Sequence, residues 1–237
     1  MTVDFAQFSD AGPRANNEDA VLAKTFDAGR IILAVADGLG GHFGGKEASR
    51  IAIDVIEQEA NGLGLGSSLL HAHEEIRRAA SENAKLKGMA TTATAVSIEG
   101  TRLFGVHCGD TRCLVQRGNG IRKLTKEHTE AQRLFEAGKL TKDEFRQYPR
   151  RNILAQALGA DNSPVIDRFD FELETNDKII ITSDGVHEKI KAREILEICL
   201  QARSAKEIVD IVKEIVESRS PDDNYSVVAA VVGEIYH

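Results

Sequence analysis

Positive charge is not in excess in this chain: 30 Lys and Arg face 37 Asp and Glu, giving a net charge of −7 and a pI near 5.6. That balance argues against a broad nucleic-acid or polyanion-binding surface, while leaving room for a local cationic site. Cysteine is scarce. Cys108, Cys113 and Cys199 are odd in number and unevenly spaced, so no disulfide framework is implied. No apolar run approaches the length needed to span a bilayer. The opening MTVDFAQFSD lacks a basic segment followed by an apolar one, so it does not read as a signal peptide, and a cytoplasmic location is expected. The segment His71-Ala72-His73-Glu74-Glu75 is not the H-E-x-x-H zinc signature. With 42% hydrophobic and 28% charged residues, the composition is that of an ordinary globular protein, and 237 residues allow one domain or two small ones.

The stretch Ile31 to Ser49 organises the rest. Ile31-Ile32-Leu33-Ala34-Val35-Ala36 is short, uninterrupted and rich in β-branched residues, which predicts a buried strand ending at Asp37-Gly38. A carboxylate at the mouth of such a strand is costly without a partner. Glycines follow at 38, 40, 41, 44 and 45, with His42 among them, and then a helical face of apolar residues at 48, 51, 52, 55 and 56. Gly40 to Lys46 spells the phosphate-loop pattern G-x-x-x-x-G-K, but Glu47 stands where that motif needs a Ser or Thr hydroxyl. The other reading of the stretch makes Asp37 a metal ligand, and that depends on whether further acids recur in the same setting.

Before it, Val3, Phe5 and Gln7 alternate with Asp4 and Ala6 as a weak strand, and Ala20 to Phe26 reads as another. Between them Arg14-Ala15-Asn16-Asn17-Glu18-Asp19, taken alone, reads as a solvated loop. After the first helix (about Lys46 to Ala60), Asn61 to Ser68 is a glycine-serine linker, and Leu69, His73, Ile76, Ala80 and Ala84 share a helical face on which His73 reads as packing. Thr91 to Ile98, Leu103 to Cys108, Arg112 to Gln116 and Ile121 to Leu124 read as antiparallel strands joined by turns. Residues 130–158 are charged and helical, with a capping box at Thr141-Lys142-Asp143-Glu144 and a break at Pro149, as expected of an insertion over the sheets. Phe169, Phe171 and Leu173 alternate with acids, and Lys178 to Ser183 is a second buried run that stops at Asp184-Gly185. A helix with a capping box at Ser204-Ala205-Lys206-Glu207 follows, then Pro221-Asp222-Asp223-Asn224 and a last buried strand, Val227 to Val232.

Asp37, Asp110, Asp184 and Asp223 thus all sit at strand edges flanked by Gly or Asn. Gathered at one end of a sheet assembly, such carboxylates would raise each other's pKa unless cations intervene. Oxygen ligands without Cys or His pairs select hard ions, Mg²⁺ or Mn²⁺, and two ions sharing a carboxylate can activate a water for attack on phosphorus.

With these residues in view, the chain resembles the protein phosphatase 2C family of metal-dependent serine/threonine phosphatases, in its compact bacterial form. The resemblance runs from about Phe8 to Val232. It is carried by R-A-N-N-E-D-A at Arg14 to Ala20, A-D-G-L-G-G-H at Ala36 to His42, M-A-T-T-A-T-A at Met89 to Ala95 and C-G-D-T-R at Cys108 to Arg112. It continues through L-T-K-E-H at Leu124 to His128, S-D-G-V at Ser183 to Val186 and D-N-Y-S-V at Asp223 to Val227.

The resemblance implies an α+β fold, a four-layer αββα sandwich of two antiparallel sheets flanked by helices, as a single catalytic domain over 1–237 with a flap at about 130–158. It implies that Asp37 bridges two Mn²⁺ or Mg²⁺ ions and that Gly38 lends its carbonyl. Asp184 and Asp223 would complete the second ion, and Glu18 and Asp19 would act through water. Asp110, with Asp184, would hold a third, weaker ion. Arg14 would bind the substrate phosphate, and His42 would protonate the leaving serine or threonine oxygen. The implied reaction is hydrolysis of phosphoserine or phosphothreonine in proteins by a metal-bridging hydroxide, without a phosphoenzyme. It would oppose a bacterial serine/threonine kinase, in a monomer that binds neither nucleic acid nor membrane. The cysteines agree by exclusion, since neither Cys108 nor Cys113 has the arginine six positions on that a cysteine-dependent phosphatase loop requires. The alternative is a catalytically silent phosphopeptide-binding or scaffold module on the same fold. Three positions depart from the family pattern. His107 replaces a common Asn and reads as a neutral surface change or a titrating group near Asp110. Glu127 stands for Asp before His128, and Tyr148 stands for His before Pro149.

Overall fold

The computed structural model describes residues 1–39, 44–60 and 64–234. In chain order the elements are β1 (Val3–Asp10), β2 (Asp19–Thr25), β3 (Ile31–Leu39), α1 (Gly44–Gln58), α2 (Leu65–Glu82), β4 (Ala90–Thr91), β5 (Ala93–Glu99), β6 (Arg102–Cys108), β7 (Arg112–Arg117) and β8 (Gly120–Lys123). They continue with α3 (Glu130–Glu136), α4 (Lys142–Gln147), β9 (Asp167–Glu172), β10 (Lys178–Thr182), α5 (Asp184–His187), α6 (Ala192–Gln201), α7 (Ala205–Ser218) and β11 (Tyr225–Val232). One sheet has the order β1-β11-β10-β7-β8; the other runs β2-β3-β5-β6-β9, with β4 paired to the end of β3. Every pairing is antiparallel.

The uninterrupted apolar runs are explained by helices covering each sheet. In β3, Leu33 and Val35 face the opposing sheet, where they meet Ile179, Ile181, Val228 and Ala230. The alternate residues Ile32, Ala34 and Ala36 face outward and are covered by Ala52, Ile56, Leu69 and Ile76 of α1 and α2. In β10 and β11, Ile180, Val227 and Ala229 are covered on the outside by Ile195 and Ile198 of α6 and by Ile208 and Val212 of α7. A strand buried on both faces has no polar alternation to show. The arrangement is helices, sheet, sheet, helices: the expected αββα sandwich. The edge strand β9 keeps its alternation, with Phe169 and Phe171 turned to the inner core and Asp170 and Glu172 outward.

Several elements differ from the sequence reading. β3 does not stop at Asp37 but continues to Leu39, because Asp37 pairs with Asp19 on β2 and Gly38 with Thr91 on β4. The strand expected over Thr91 to Ile98 divides into β4 and β5 around Thr92. α6 was not anticipated; its buried side, Ile195, Ile198 and Cys199, is a short stripe between charged residues. The capping box at 204–207 is only half made: the Ser204 hydroxyl accepts from the Glu207 N–H at 3.2 Å, but the Glu207 carboxylate turns to the Arg203 N–H at 2.7 Å. The box at Thr141 and Glu144 is complete. Residues 130–158 are less helical than expected, holding only α3 and α4. A Phe135–Phe145 ring contact at 5.1 Å joins the two helices, and bridges from Thr129 to Leu154 and from Leu158 to Thr91 tie the ends down.

The inner core predicts its own mutational cost. Leu33 is fully buried between the sheets, so Leu33→Ala is expected to cost about 3 kcal/mol. Ile153→Ala, on a side chain that is 47% exposed, should cost less than about 0.5 kcal/mol. Urea unfolding midpoints of the two variants test the difference.

Candidate metal centre

The site is built by continuing the inner faces of the two sheets one step past their apolar stretches. On β3 the inward positions run Leu33, Val35, then Asp37. On β2, Val21 is followed toward the same end by Asp19, which lies directly opposite Asp37 in the strand register. Like charges opposite each other on one face of a sheet repel. The opposing sheet does not answer with cations. Its inward positions at that end are Ser183, after Ile181, and Ser226, before Val228. Both hydroxyls reach across the sandwich to Asp19 Oδ2, at 2.8 and 2.6 Å. Ser183 Oγ also accepts from the Ser226 N–H at 2.9 Å.

The peptide of Asp37 is clamped by two threonines. Its N–H donates to Thr92 Oγ1 at 3.1 Å, and its carbonyl accepts from Thr92 N–H at 2.8 Å and Thr91 Oγ1 at 2.9 Å. Gly38 donates its N–H to the Glu18 carbonyl at 3.1 Å. A Cβ on Gly38 would lie 2.2 Å from the Gly45 carbonyl oxygen, and one on Gly45 would lie 2.0 Å from Glu18 Oε2. Glycine at both positions therefore lets the Glu18 carboxyl and the Gly38 peptide crowd against the start of α1. Asn224 fixes the 11–18 loop: its side-chain oxygen accepts from Glu18 N–H at 2.8 Å, and its amide donates to the Ala11 and Asn16 carbonyls at 2.8 and 2.9 Å.

Asp184 opens α5 directly after β10. Its carboxyl neighbours that of Asp37, and its charge raises Asp37 further. Asp110 lies in the turn that carries the chain from β6 in one sheet to β7 in the other. His128 grips that turn, donating its N–H to the Gly109 carbonyl at 2.5 Å and accepting from Gly109 N–H at 3.3 Å. Asp223 is paired with Arg14 at 2.8 Å, and Arg14 Nε donates to the Asp222 carbonyl at 3.0 Å. The half-exposed Arg14 is thus held at the rim by the loop that carries Asp223.

Burial is the main cause of the unusual acidities here, and mutual repulsion adds to it. Asp19 is pushed up to about 7 by burial, eased by the two serine hydroxyls and raised again by Asp184 and Asp223. Asp110 is pushed up to about 7 by burial, then by Asp184 and Glu127, and Asp184 to about 6 by burial, then by Asp223 and Glu188. Asp37 is raised well above the usual carboxylate range by burial, then by Asp19, Asp184 and Asp110.

Of the residues expected at the site, Glu18, Asp19, Asp37, Gly38, Asp110, Asp184, Asp223 and Arg14 all come to this end of the sandwich. His42, with the rest of 40–43, lies outside the described residues. Among the described residues, no three His, Cys, Asp or Glu side chains already stand around a common ion position. The donor set nevertheless fits hard divalent cations: it is all oxygen, largely buried, and excess in negative charge. Ser183, Ser226, Thr91, Thr92 and Asn224 were not singled out from sequence. Their signal was available for the serines, since each occupies an inward position of a strand whose other inward positions are apolar.

Two sequence readings are settled nearby. His107 is not on the surface. It is buried with Nδ1 2.7 Å from Thr94 Oγ1 and its ring 4.8 Å from that of His128, and burial and then the His128 charge lower it to about 4, so it stays neutral. The three cysteines are free and buried, and burial raises Cys108 to about 12. Glu47 pairs with Arg50 at 2.6 Å on α1, while residues 40–43 of the Gly40–Lys46 pattern lie outside the described residues.

A cleft of about 360 Å³ leads from Asp110 and Asp184 out beneath the flap.

Fold and site together define a two-sheet sandwich protein with a buried, oxygen-only acidic centre. A family model described as Protein phosphatase 2C matches residues 11–224, and the chain belongs to that family. It is 32% identical to the serine/threonine protein phosphatase PstP of Mycobacterium tuberculosis over 100% of this chain. It spans only 46% of that relative's length. It is 28% identical to the serine/threonine phosphatase stp of Listeria welshimeri, covering 90% of this chain and 89% of that one. The crystal structure of the M. tuberculosis phosphatase superposes with a TM-score of 0.88 at 30% identity, over 99% of this chain and 100% of that one. A structure of the PstP catalytic domain in complex with two manganese ions gives a TM-score of 0.83 at 31% identity, over 98% and 99%.

The raised acidities set a pH dependence for the metal-free protein. A carboxyl with a raised folded pKa keeps its proton after the unfolded chain has lost its own. The folded state then binds more protons between about pH 4 and 7, and stability falls as pH rises through that window. In EDTA the protein is expected to be more stable at about pH 5 than at about pH 7.5, by on the order of 2 kcal/mol, and Mn²⁺ at the higher pH should restore the loss. Calorimetric melting profiles with and without EDTA check this; a profile flat in EDTA would mean that the carboxyls are not raised in the folded protein.

Proposed function

We propose that the chain is a metal-dependent hydrolase of phosphoserine and phosphothreonine in proteins. The observation that carries this is the set of buried and half-buried carboxylates, Asp19, Asp37, Asp110 and Asp184, gathered at the open end of the sandwich, where burial first and mutual repulsion second raise their pKa values. Two features of relatives support it: their names as serine/threonine phosphatases and the two manganese ions of the PstP catalytic domain.

Asp37 and the Gly38 carbonyl, with Asp184 and Asp223, are the residues that would hold two Mn²⁺ or Mg²⁺ ions; Glu18 and Asp19 would serve through water, and Asp110 with Asp184 would serve a third. When bound, such ions supply Lewis acidity toward the phosphoryl oxygens and lower the pKa of water. The chain's own residues do the rest. Ser183 and Ser226 orient Asp19, the Thr91-Thr92 clamp fixes Asp37, and Asn224 fixes Glu18. Arg14 presents a guanidinium fork at the rim, where it can exchange Asp223 for the oxygens of a phosphoester. His42 is the proposed proton donor to the leaving oxygen. The same reading takes 1–237 as one catalytic domain with a flap, a cytoplasmic monomer acting against a serine/threonine kinase.

Hydrolysis of p-nitrophenyl phosphate is expected with Mn²⁺ and to vanish in EDTA. Asp37→Ala and Asp184→Asn should lower turnover more than about a hundredfold with the fold intact. Folded protein that turns over nothing in Mn²⁺ or Mg²⁺ but binds phosphopeptides would instead support the silent binding module.

The serine bridge gives a separate expectation. Ser226→Ala should weaken Mn²⁺ binding roughly tenfold, as loss of a partner that orients a metal ligand does, and isothermal titration with Mn²⁺ measures it.

A further inference from the structure

The cleft beneath the flap has two chemically different parts. Its floor carries Asp110 and Asp184, while Arg146 and Arg151 of the flap and Lys191, just before α6, line it farther out. These outer cations are poorly neutralised. Arg151 makes no ion pair or side-chain hydrogen bond among the described residues. Lys191 directs its ammonium only at the Glu188 carbonyl, at 3.3 Å. Arg146 meets Asp143 at 3.3 Å with both side chains exposed, a pairing that holds little.

Of the acids nearby, Glu127 is neutralised by two cations, while Glu188 keeps its charge and stands beside a neutral amide. Glu188 accepts from the Asn152 amide at 2.5 Å, and Glu127 is held between Arg112 and Lys123, each at 2.6 Å. The local field is felt by His187 on the cleft wall. Its pKa is lowered well below the usual value by burial and then by Arg112, Lys123 and Lys191. In a chain of net charge −7, weakly paired cations lining one cleft run against the overall balance and attract a negative partner there. Arg14 lines no part of this cleft, so the cations do not duplicate its place at the rim.

We propose that the outer cleft reads the residues flanking the phosphorylated side chain, and that Arg151 and Lys191 select protein substrates carrying an acidic residue there. The proposal rests on the phosphatase reading for its occupant. It assigns specificity, not catalysis, to the two cations.

The test compares phosphothreonine peptides that differ only in Glu or Lys at the flanking positions, with the full chain in Mn²⁺. The readout is the ratio of kcat/KM values for the two peptides, so any change in basal turnover cancels. The wild type is expected to favour the acidic peptide by roughly tenfold at low salt, as two half-exposed charge pairs provide. About 0.5 M NaCl should compress the ratio. Arg151→Glu combined with Lys191→Glu should bring it to one or below, while Arg151→Lys retains it. A ratio near one in the wild type, or the wild-type ratio persisting in the double variant, overturns the proposal. Fluorescence anisotropy of the same peptides, labelled, on Asp37→Ala protein gives the preference as a ratio of Kd values without turnover. Preference in binding with no hydrolysis by the wild type would sink the phosphatase reading and leave the cleft assignment standing. Hydrolysis with no preference would do the reverse.

Discussion

Carboxylates placed between two sheets are the constraint on which this structure turns. The inner faces are apolar along most of their length and switch to Asp19 and Asp37 at one end, directly opposite each other in the β2–β3 register. Asp184 arrives there from the other sheet, and Asp110 from the turn where the chain crosses between sheets. A buried like-charge cluster is unfavourable on its own, so the surrounding framework must hold it in place. The sandwich does this through hydroxyls and main-chain groups. Ser183 and Ser226 cross to Asp19, Thr91 and Thr92 grip the Asp37 peptide, and Asn224 ties down the loop that brings Glu18.

That choice of partners bears on function. An arginine or lysine among the acids would have neutralised them and removed the reason for a metal. Serine and threonine hydroxyls position the carboxylates without cancelling their charge. The cationic groups of the site stand outside the cluster: Arg14 at the rim beside Asp223, Arg112 and Lys123 around Glu127, and Arg151 and Lys191 at the cleft mouth. Charge is therefore segregated into a negative centre and a largely positive periphery, the distribution that the proposed function calls for.

The flap illustrates how a segment with few core contacts is held. Its length is mostly exposed, but Ala131 and Leu158 at its two ends are fully buried, and its helices meet through the Phe135–Phe145 contact. Tyr148, where the family often has histidine, hydrogen-bonds Glu130 at 2.6 Å and closes the flap on itself. His107 shows a similar substitution absorbed by the core: buried between Thr94 and His128, it is kept neutral by burial.

The sequence by itself showed the buried strands and most of the acidic set, while the αββα layering was implied by its resemblance to a known family. Runs such as Ile31 to Ala36 and Lys178 to Ser183 are too apolar to face water on either side, and Asp-Gly ends each of them. Periodicity and composition are local properties, so they could be read without a structure. It could not show that β3 continues through Asp37, because that depends on pairing with β2 and β4 rather than on the strand's own residues. Nor could spacing reveal that Ser183 and Ser226 meet Asp19 across positions 164 and 207 residues apart in the chain. The pairing of Arg14 with Asp223 and the gathering of Arg151 and Lys191 at one cleft are of the same kind. Side-chain partners distant in sequence are chosen by how the sheets stack, and only the tertiary structure decides that.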